Sequence, residues 1–351
     1  MTLEKTIVVD SALAGQTLAA VVRRSFGSLT WNQTRQLIAA RRVRVDASVC
    51  LDDARRLKVA EKIDVLAASS ARPAAEMAVR IVHRDADLVV VEKPPGIQTV
   101  RRIEERNWSD ERKQRQPVLL ELVQRMVDAE RAGAGGRRRG ADKKLSRPRP
   151  KAPPMAPTRV RPVHRLDRDT SGLMMFAISP AAEAELVRRF AGHSIQRVYL
   201  AVAIGILREA KKIESWIVRD RGDGIRGSVP GGKSSPTGQR AVTHVRPVKH
   251  LGKEFTIVEC KLETGRTHQI RIHMAEMGHP LCGEKIYLRA KTDEQITVLH
   301  GGAPRQALHS AELEFEHPTT GKTMRFESPW PPDLARWLGH HASSETGSHR
   351  R

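Results

Sequence analysis

The chain has 351 residues, enough for one large domain or two to three small domains that each bury a hydrophobic core. Its formal net charge is +21, from 61 Lys and Arg against 40 Asp and Glu, which predicts a polyanionic partner because neutralised phosphates release counterions. No segment approaches the roughly 18 consecutive apolar residues of a membrane-spanning helix, and the start lacks the long apolar core of a secretory signal, so we expect a cytoplasmic protein without a membrane partner.

The cysteines and histidines argue against a metal site. The cysteines, Cys50, Cys260 and Cys282, are scattered and form no CxxC pair, so neither a zinc knuckle nor a disulfide framework is expected. None of the 14 histidines forms an HxxxH or HExxH pair. We therefore expect no metal and no cofactor.

Residues 1–70 are predicted to form a small α/β module. Helical spacing predicts a first helix over Gln16–Phe26, and Thr30 is a plausible N-cap for a second helix. Two short β-like stretches follow at Val43–Val45 and Ile63–Leu66. This order resembles the small RNA-binding module first known from a ribosomal protein. The basic residues on and after the second helix are the candidate RNA-binding residues of this module: Arg35, Arg41, Arg42 and Arg44.

Two features of this module keep its function open. The family that it resembles usually has Gly where this chain has Arg41, and Asn-Gly where this chain has Asp46-Ala47. Glycine adopts positive φ without strain, so its loss affects the predicted hairpin. The alternative is an ordinary amphipathic helix whose arginines are only solvated.

The next segment combines a predicted hairpin with a basic insertion. Strands at Val79–Val82 and Leu88–Glu92 are predicted, and Lys93-Pro94-Pro95-Gly96 ends the second because proline cannot donate to a ladder. Residues 101–158 are highly charged and then rich in Arg, Gly and Pro, which predicts a basic, disordered insertion. Within it, VLLELVQRMVDAE predicts one helix. A bare linker and a general RNA contact both fit this composition.

Residues 160–330 are predicted to form a large β-rich body. A helix is predicted at Pro180–Phe190, and the whole pattern indicates an α+β fold rather than repeating βαβ units. We expect one domain over residues 78–335 and a disordered tail over 336–351. Alternating apolar stretches predict strands at Gly172–Ile178, Val198–Ile204, Ala241–Val248, Phe255–Leu262 and Ala311–Phe315.

The polar loop from His164 to Gly172 is the strongest local signal, because it leads into a buried apolar strand. Within it, Asp167 is flanked by Arg165 and Arg168, which favour an ionised carboxylate that can act as nucleophile or general base. A charged turn explains the same residues, since short oxygen-bearing side chains before Gly are typical turn formers. The residues alone leave both interpretations open.

This loop, His164-Arg165-Leu166-Asp167 followed by Asp169-Thr170-Ser171-Gly172, resembles the signature loop of the RluA-like pseudouridine synthases. The resemblance covers residues 78–100 and 160–330, and it implies a mixed, mainly antiparallel sheet with flanking helices. Several motifs in register are more specific than any one. The further matches, in the same order along the chain, are VVVEKPPG (89–96), RVYLAVAIG (197–205), LETGRTHQIRIHMAEMGHPLCGEKIY (262–287) and RQALHSAELEFEHP (305–318).

The resemblance implies roles for five residues. Asp167 takes the position of the nucleophile, and Tyr199 that of the aromatic residue beside the uracil. Arg271 is similar to the arginine that pairs with the nucleophile, whereas Arg266 is an alternative for that role or a phosphate contact. Arg165 resembles the residue that fills the gap when the target base leaves the RNA stack.

Two positions depart from the family pattern. Gly283-Glu284 stands where the family usually has Gly-Asp, which keeps a carboxylate but displaces it by one methylene. Arg197 stands where the family often has Lys, which keeps the charge but not the geometry. His164, His268 and His273 are predicted to be structural hydrogen bonders, because reaction through an aspartate needs no histidine dyad.

The implied function is isomerisation of specific uridines to pseudouridine in ribosomal RNA, or alternatively transfer RNA, by a monomer that flips the base into a pocket. Asp167 would either attack the anomeric carbon or act through deprotonation of the sugar. A catalytically silent RNA-binding or ribosome-assembly factor would explain the charge but not the matching motifs. A nuclease using Asp167 and Asp169 would need further carboxylates around a metal.

Overall fold

The computed structural model describes residues 3–40, 42–46, 48–50, 53, 55–67, 79–110, 113, 116–136, 159–221, 225–229, 234–288 and 301–343. The chain divides into two compact units. The first comprises Met1–Met77 with Arg101–Pro117, and the second Ala78–Val100 with Val118–Arg351. Among the described residues, no helix is long and apolar enough to cross a bilayer.

In its described residues up to 67, the first unit has a four-stranded antiparallel sheet and two helices. Its strands are β1 (Leu3–Val8), β2 (Val43–Val45), β3 (Ser48–Val49) and β4 (Lys62–Leu66), and its helices are α1 (Leu18–Phe26) and α2 (Trp31–Ala39). The strand order is β1-β4-β2-β3. Thr30 caps α2 as predicted, through a reciprocal capping box with Gln33. The predicted strands β2 and β4 are present, whereas β1 was not predicted, because its pairing with β4 depends on residues far along the chain.

The second unit contains one sheet of eleven strands. They are β5 (Arg80–Arg84), β6 (Leu88–Lys93), β7 (Arg161–Pro162), β8 (Ser171–Ala177), β9 (Gln196–Ile204), β10 (Lys211–Val218), β11 (Gly227–Ser228), β12 (Gln239–Leu251), β13 (Phe255–Leu262), β14 (Leu308–Glu316) and β15 (Thr323–Glu327). The main path is β11-β10-β12-β13-β9-β14-β8-β6-β5, with β15 on β14 and β7 on β8. The β8–β14 pairing is parallel and the other described pairings are antiparallel. The predicted α+β fold with a mixed, mainly antiparallel sheet is confirmed.

Among the residues that the structure describes, four α-helices accompany this sheet: α3 (Leu119–Gly136), α4 (Pro180–Ala191), α5 (Gln269–Glu276) and α6 (Pro332–Ser343). Strand β6 is buried on both faces. Val89 and Val91 belong to the core that includes Val123 of α3, whereas Leu88 packs in a second core with Leu186 of α4. Alternation along a strand sends successive side chains to opposite faces, so β6 and β8 form a rigid centre that carries the loop before β8.

The helix predicted within the basic insertion is confirmed, whereas the predicted disorder of the tail is wrong in part. Helix α3 lies inside the predicted insertion, where Val123 and Val127 are buried at helical spacing. Helix α6 extends into the predicted tail, with Leu334 and Trp337 buried. In the tail, the abundant polar residues mask an apolar stripe that only packing reveals. The parts of these predictions at 137–158 and 344–351 lie outside the described residues.

Candidate active site

The loop that carries Asp167 is anchored from below by Lys93, the last residue of β6. Its Nζ donates to the carbonyl oxygens of Pro94 at 2.9 Å, Arg168 at 2.8 Å and Thr170 at 2.7 Å. An ammonium group has three donors, so these contacts use its full capacity. Lys93 is buried and therefore fixes the loop rather than facing RNA.

The same loop is held from the other side by residues that precede β14. Arg305 donates to the carbonyl of Asp169 at 2.9 Å and to the hydroxyl of Ser171 at 2.9 Å. The Gln306 amide donates to the Thr170 hydroxyl at 2.8 Å. These side-chain contacts, together with the Lys93 anchor, leave the backbone on the C-terminal side of Asp167 little freedom.

Gly172 completes the loop, because no side chain fits at its position. Its φ is +110°, and a Cβ there would lie 2.2 Å from the carbonyl oxygen of Ser310. Strand β8 runs parallel to β14 at this point, with Gly172 opposite Ser310. Glycine alone adopts this conformation and allows the two strands to approach.

The carboxylate of Asp167 faces two basic side chains of the α5 region. Arg271 Nη1 lies 3.3 Å from Asp167 Oδ2, and His268 Nε2 lies 3.9 Å from Oδ1. The Asp167 side chain is 14% exposed, which leaves it accessible to a ligand. Arg266 instead donates to the carbonyl of Arg240 at 3.0 Å, so the geometry places Arg271, rather than Arg266, beside the carboxylate.

Arg271 is itself held by Glu284, whose side chain is fully buried. The guanidinium donates twice, Nε to Oε2 at 2.7 Å and Nη2 to Oε1 at 2.6 Å. The backbone N–H groups of Lys285 and Ile286 donate to Glu284 Oε1 at 3.0 and 2.9 Å. Burial raises the pKa of Glu284, but these contacts outweigh burial and hold that pKa below its ordinary value.

A pocket of about 480 Å³ opens above Asp167. Tyr199 of β9 is buried in its wall, opposite Ser310 of β14. Burial raises the pKa of Tyr199 more than Arg197 and the Ser310 hydroxyl lower it, so the phenol is protonated at neutral pH. The pocket brings together the residues to which the resemblance assigns roles: Asp167, Tyr199, Arg271, Arg165 and Arg266.

The three histidines near this pocket form hydrogen bonds within the protein. His164 accepts from the N–H of Met175 at 3.0 Å, and burial lowers its pKa to about 3. His273 bonds to the hydroxyls of Ser215 and Thr243, and burial lowers its pKa to about 4. His268 Nδ1 lies 2.7 Å from the hydroxyl of Tyr287. His164 and His273 are therefore neutral structural residues.

Sequence reasoning gave no role to Lys93, Arg305 or Gln306 and only a doubtful one to Glu284. Lys93 and Glu284 both stand inside motifs that the resemblance rests on. A signal for Lys93 was available in the sequence, because a lysine at the end of a buried apolar strand is itself expected to be buried and to need hydrogen-bond partners within the protein. No such signal exists for Glu284, whose burial depends on the packing of α5.

Away from the pocket, the described residues contain one group of three possible metal ligands, Asp85, Asp87 and His317. Asp85 accepts from the N–H of Leu88 at 2.9 Å and contacts His317 at 3.1 Å. Asp87 accepts from the hydroxyl of Thr319 at 2.6 Å. These hydrogen bonds fix the turn between β5 and β6 and account for the cluster.

Comparison with known proteins identifies the family. Residues 87–276 match the model of the RNA pseudouridylate synthase family. Ribosomal large subunit pseudouridine synthase D of Vibrio vulnificus is 31% identical over 95% of this chain and 93% of its own length. This chain belongs to the RNA pseudouridylate synthase family. It is thus an isomerase that converts uridine in RNA to pseudouridine, and the resemblance to the RluA-like enzymes is confirmed.

Other relatives agree. The enzyme of the same name from Neisseria meningitidis serogroup A is 43% identical over 50% of this chain and 46% of its own length. That alignment spans about half of the relative. A solved structure, human RNA pseudouridylate synthase domain containing 4, aligns over 75% of this chain with a TM-score of 0.50 and 18% identity. This last likeness concerns the fold alone.

Replacing Lys93 tests how the burial of its amino group affects stability. Burial lowers the pKa of Lys93 to about 7, against the opposing effects of Asp169 and Asp167. The unfolded value is about 10.4, so between these pH values the unfolded chain binds more protons and the free energy of unfolding rises with pH, by up to about 1.4 kcal/mol per pH unit. We expect urea titrations between pH 7 and pH 9 to show this rise in the wild type and not in Lys93→Met. If the free energy of unfolding changed with pH in the same way in both proteins, a lowered pKa of folded Lys93 would be contradicted.

Proposed function

We propose that the chain isomerises specific uridines in ribosomal RNA of the large subunit, with Asp167 as the nucleophile. The two bacterial relatives described above are named pseudouridine synthases of the large ribosomal subunit. The net charge of +21 also suits an RNA substrate. One observation carries the assignment of Asp167. Its carboxylate is paired with Arg271 at 3.3 Å at the base of a pocket that also holds Tyr199.

In the proposed mechanism, the uridine leaves its stack and enters the pocket, at a cost of a few kcal/mol. Arg165 is exposed at the pocket and takes the place of the departed base. The Tyr199 ring stacks on the uracil. Its phenol is protonated at neutral pH, so it does not act as a base before the reaction begins. Asp167 then either attacks C1′ of the ribose or removes the proton of C2′.

Both routes break the bond between C1′ and N1 and later join C1′ to C5 of the turned uracil. The proton of C5 is lost and N1 gains one, so the product is an isomer of the substrate. No oxidant and no cofactor are required. Arg271 orients the Asp167 carboxylate throughout, because Glu284 holds the guanidinium in place from the other side.

The substrate assignment is tested by mapping pseudouridine in ribosomal and transfer RNA from cells with and without the gene. We expect large-subunit ribosomal RNA positions to lose the modification when the gene is deleted and regain it with the wild-type gene, but not with Asp167→Asn. Loss confined to transfer RNA would contradict the proposed substrate. An unchanged map would favour the catalytically silent RNA-binding alternative.

We further propose that residues 1–70 form an RNA-binding module. Arg35 has a side chain that is 65% exposed and pairs with Asp53 at 3.2 Å. Arg42 is more constrained, because it donates to Glu4 and to the carbonyl of Leu66. Arg44 lies on β2, whereas Arg41 lies outside the described residues. Arg35 is therefore the described arginine best placed to contact a phosphate.

Removal of residues 1–70 is expected to weaken RNA binding and flatten its salt dependence. Each lost phosphate contact reduces the slope of log affinity against log salt by about one unit. Filter binding of the full chain, the truncated chain and Arg35→Gln at several salt concentrations measures this slope. Deleting residues 137–151 gives the comparison, since loss of this basic segment should lower the affinity for all RNAs alike. An unchanged slope after the N-terminal deletion would exclude the module from RNA binding.

A further inference from the structure

Arg197 is a buried cation that the proposed mechanism leaves unused. It lies on β9 two residues before Tyr199, so both side chains project from the same face of the strand. It is 7% exposed and lines the pocket. Among the residues that the structure describes, it has no carboxylate within 4.0 Å, and its Nε is buried without a hydrogen-bond partner.

The surroundings of Arg197 support the guanidinium without neutralising it. Its Cζ lies 5.3 Å from the centre of the Phe190 ring, a cation–π contact. A Cβ added to Gly265 would lie 2.7 Å from Arg197 Nη1, so the glycine leaves the space that the guanidinium occupies. Burial lowers the pKa of Arg197, because a charge held away from water loses favourable hydration. A ligand that brings negative charge into the pocket would offset that cost.

We propose that Arg197 binds a carbonyl oxygen of the flipped uracil and stabilises the negative charge that the base gains when its bond to the ribose breaks. The inference rests on the proposed function. When the C1′–N1 bond breaks, its electron pair stays on the uracil and is shared by N1, O2 and O4. Asp167 loses its charge at the same time, either by bonding to C1′ or by taking the C2′ proton. The negative charge therefore moves from Asp167 to the base.

Arg271 and Arg197 suit the two ends of this charge movement. Arg271 pairs with Asp167 and is also neutralised by Glu284, so it stabilises the charge before the bond breaks. Arg197 has no such partner and becomes paired only when the uracil carries the charge. A group that interacts more strongly with the transition state than with the substrate accelerates the chemical step. When C5 bonds to C1′, the charge returns to Asp167.

The burial of Arg197 favours the base over a phosphate as its ligand. The phosphates of an RNA strand stay at the solvated backbone, where exposed side chains such as Arg165 can meet them. The flipped base is the part of the nucleotide that enters a closed pocket. The position of Arg197 beside Tyr199 also places it next to the aromatic ring on which the uracil is proposed to stack.

The test compares Arg197→Met and Arg197→Lys with the wild type in single-turnover reactions and RNA-binding titrations. We expect Arg197→Met to lower the rate constant by roughly 10²–10³-fold, as removal of an oxyanion donor does, with little change in Kd. Arg197→Lys keeps the charge and should lose less. The exposed Arg325 of β15, which pairs with Glu312 at 3.1 Å, gives the control Arg325→Met, with an unchanged rate.

Two further readouts separate this role from a structural one. The thermal midpoint of Arg197→Met should equal or exceed that of the wild type, since the substitution removes a buried unpaired charge. With 5-fluorouridine at the target position, the rate deficit in substrate consumption should shrink, because fluorine itself stabilises the uracil anion.

Three outcomes for Arg197→Met would overturn the proposal. The first is an unchanged rate constant, and the second is a lower thermal midpoint with a rate loss that matches the unfolded fraction. The third is weaker RNA binding with an unchanged rate constant and a salt slope reduced by about one unit, which marks a phosphate contact. Asp167→Asn is run on the same RNA. Activity of that variant would refute the proposed nucleophile, whereas the ratio of the rate constants of Arg197→Met and the wild type would still decide the role of Arg197.

Discussion

Asp167→Asn is expected to abolish pseudouridine formation, with a loss on the order of 10⁴-fold or more in the single-turnover rate constant. The amide can neither bond to C1′ nor take a proton from C2′, so both routes of the mechanism fail. RNA binding should stay within a few-fold of the wild type, because the Asp167 side chain is 14% exposed at the base of the pocket rather than on its rim.

The variant should also fold normally. Arg271 keeps its two hydrogen bonds to Glu284 when Asp167 loses its charge, so no buried cation is left unpaired. Asp169→Asn is the matched control, since it keeps the Asp169 backbone carbonyl, which accepts from Arg305. We expect that variant to remain active. If Asp167→Asn kept more than a few per cent of the rate, the nucleophile would have to be sought elsewhere.

The strands that sequence analysis predicted well have strong local patterns. Phe255–Leu262 of β13 has the predicted bounds, and its central position surrounds it with other strands. Strand β15, at Thr323–Glu327, was not predicted, because its residues are at most half-buried and its pairing partner among the described strands is β14 alone. A strand at the border of a sheet owes its conformation to its neighbour more than to its own apolar residues.

The proposed catalytic residues could be predicted only from several motifs in register. Asp167 and Arg271 stand 104 positions apart, and no spacing rule links them. The residues that hold this pair in place could not be predicted in the same way. Lys93 and Glu284 are charged, and charged side chains are ordinarily solvated. Their burial follows from the sheet and from α5, and only the folded structure shows that each is fully used by hydrogen bonds.

Glu284→Gln is expected to lower both stability and activity strongly. Breaking a buried ion pair by neutralising one partner typically costs about 3–5 kcal/mol of unfolding free energy, and this pair is bidentate at 2.6 and 2.7 Å. An amide presents one acceptor oxygen where the carboxylate presents two. Arg271 would then lose its fixed orientation, and its 3.3 Å contact with Asp167 would no longer align the carboxylate with the ribose. Urea unfolding and single-turnover rates measure the two effects.

Glu284→Asp is the matched control, because it keeps the charge and has the side chain that the family usually carries here. Retention of most of the stability and rate in this variant, together with their loss in Glu284→Gln, would show that the charge matters more than the extra methylene. Equal losses in both would instead assign the effect to side-chain length and contradict the ion-pair argument.

The pH dependence gives an independent check on the same pair. The folded pKa of Glu284 lies below its ordinary value, because Arg271 and the backbone N–H groups outweigh burial. For an acid with a lowered folded pKa, the stabilisation is complete above the unfolded pKa, about 4.3, and is lost as pH falls through the folded value. The stability gap between wild type and Glu284→Gln should therefore be full at pH 7 and should narrow below about pH 4. A gap that stayed constant into acid would mean that packing, not charge, holds Glu284 against Arg271.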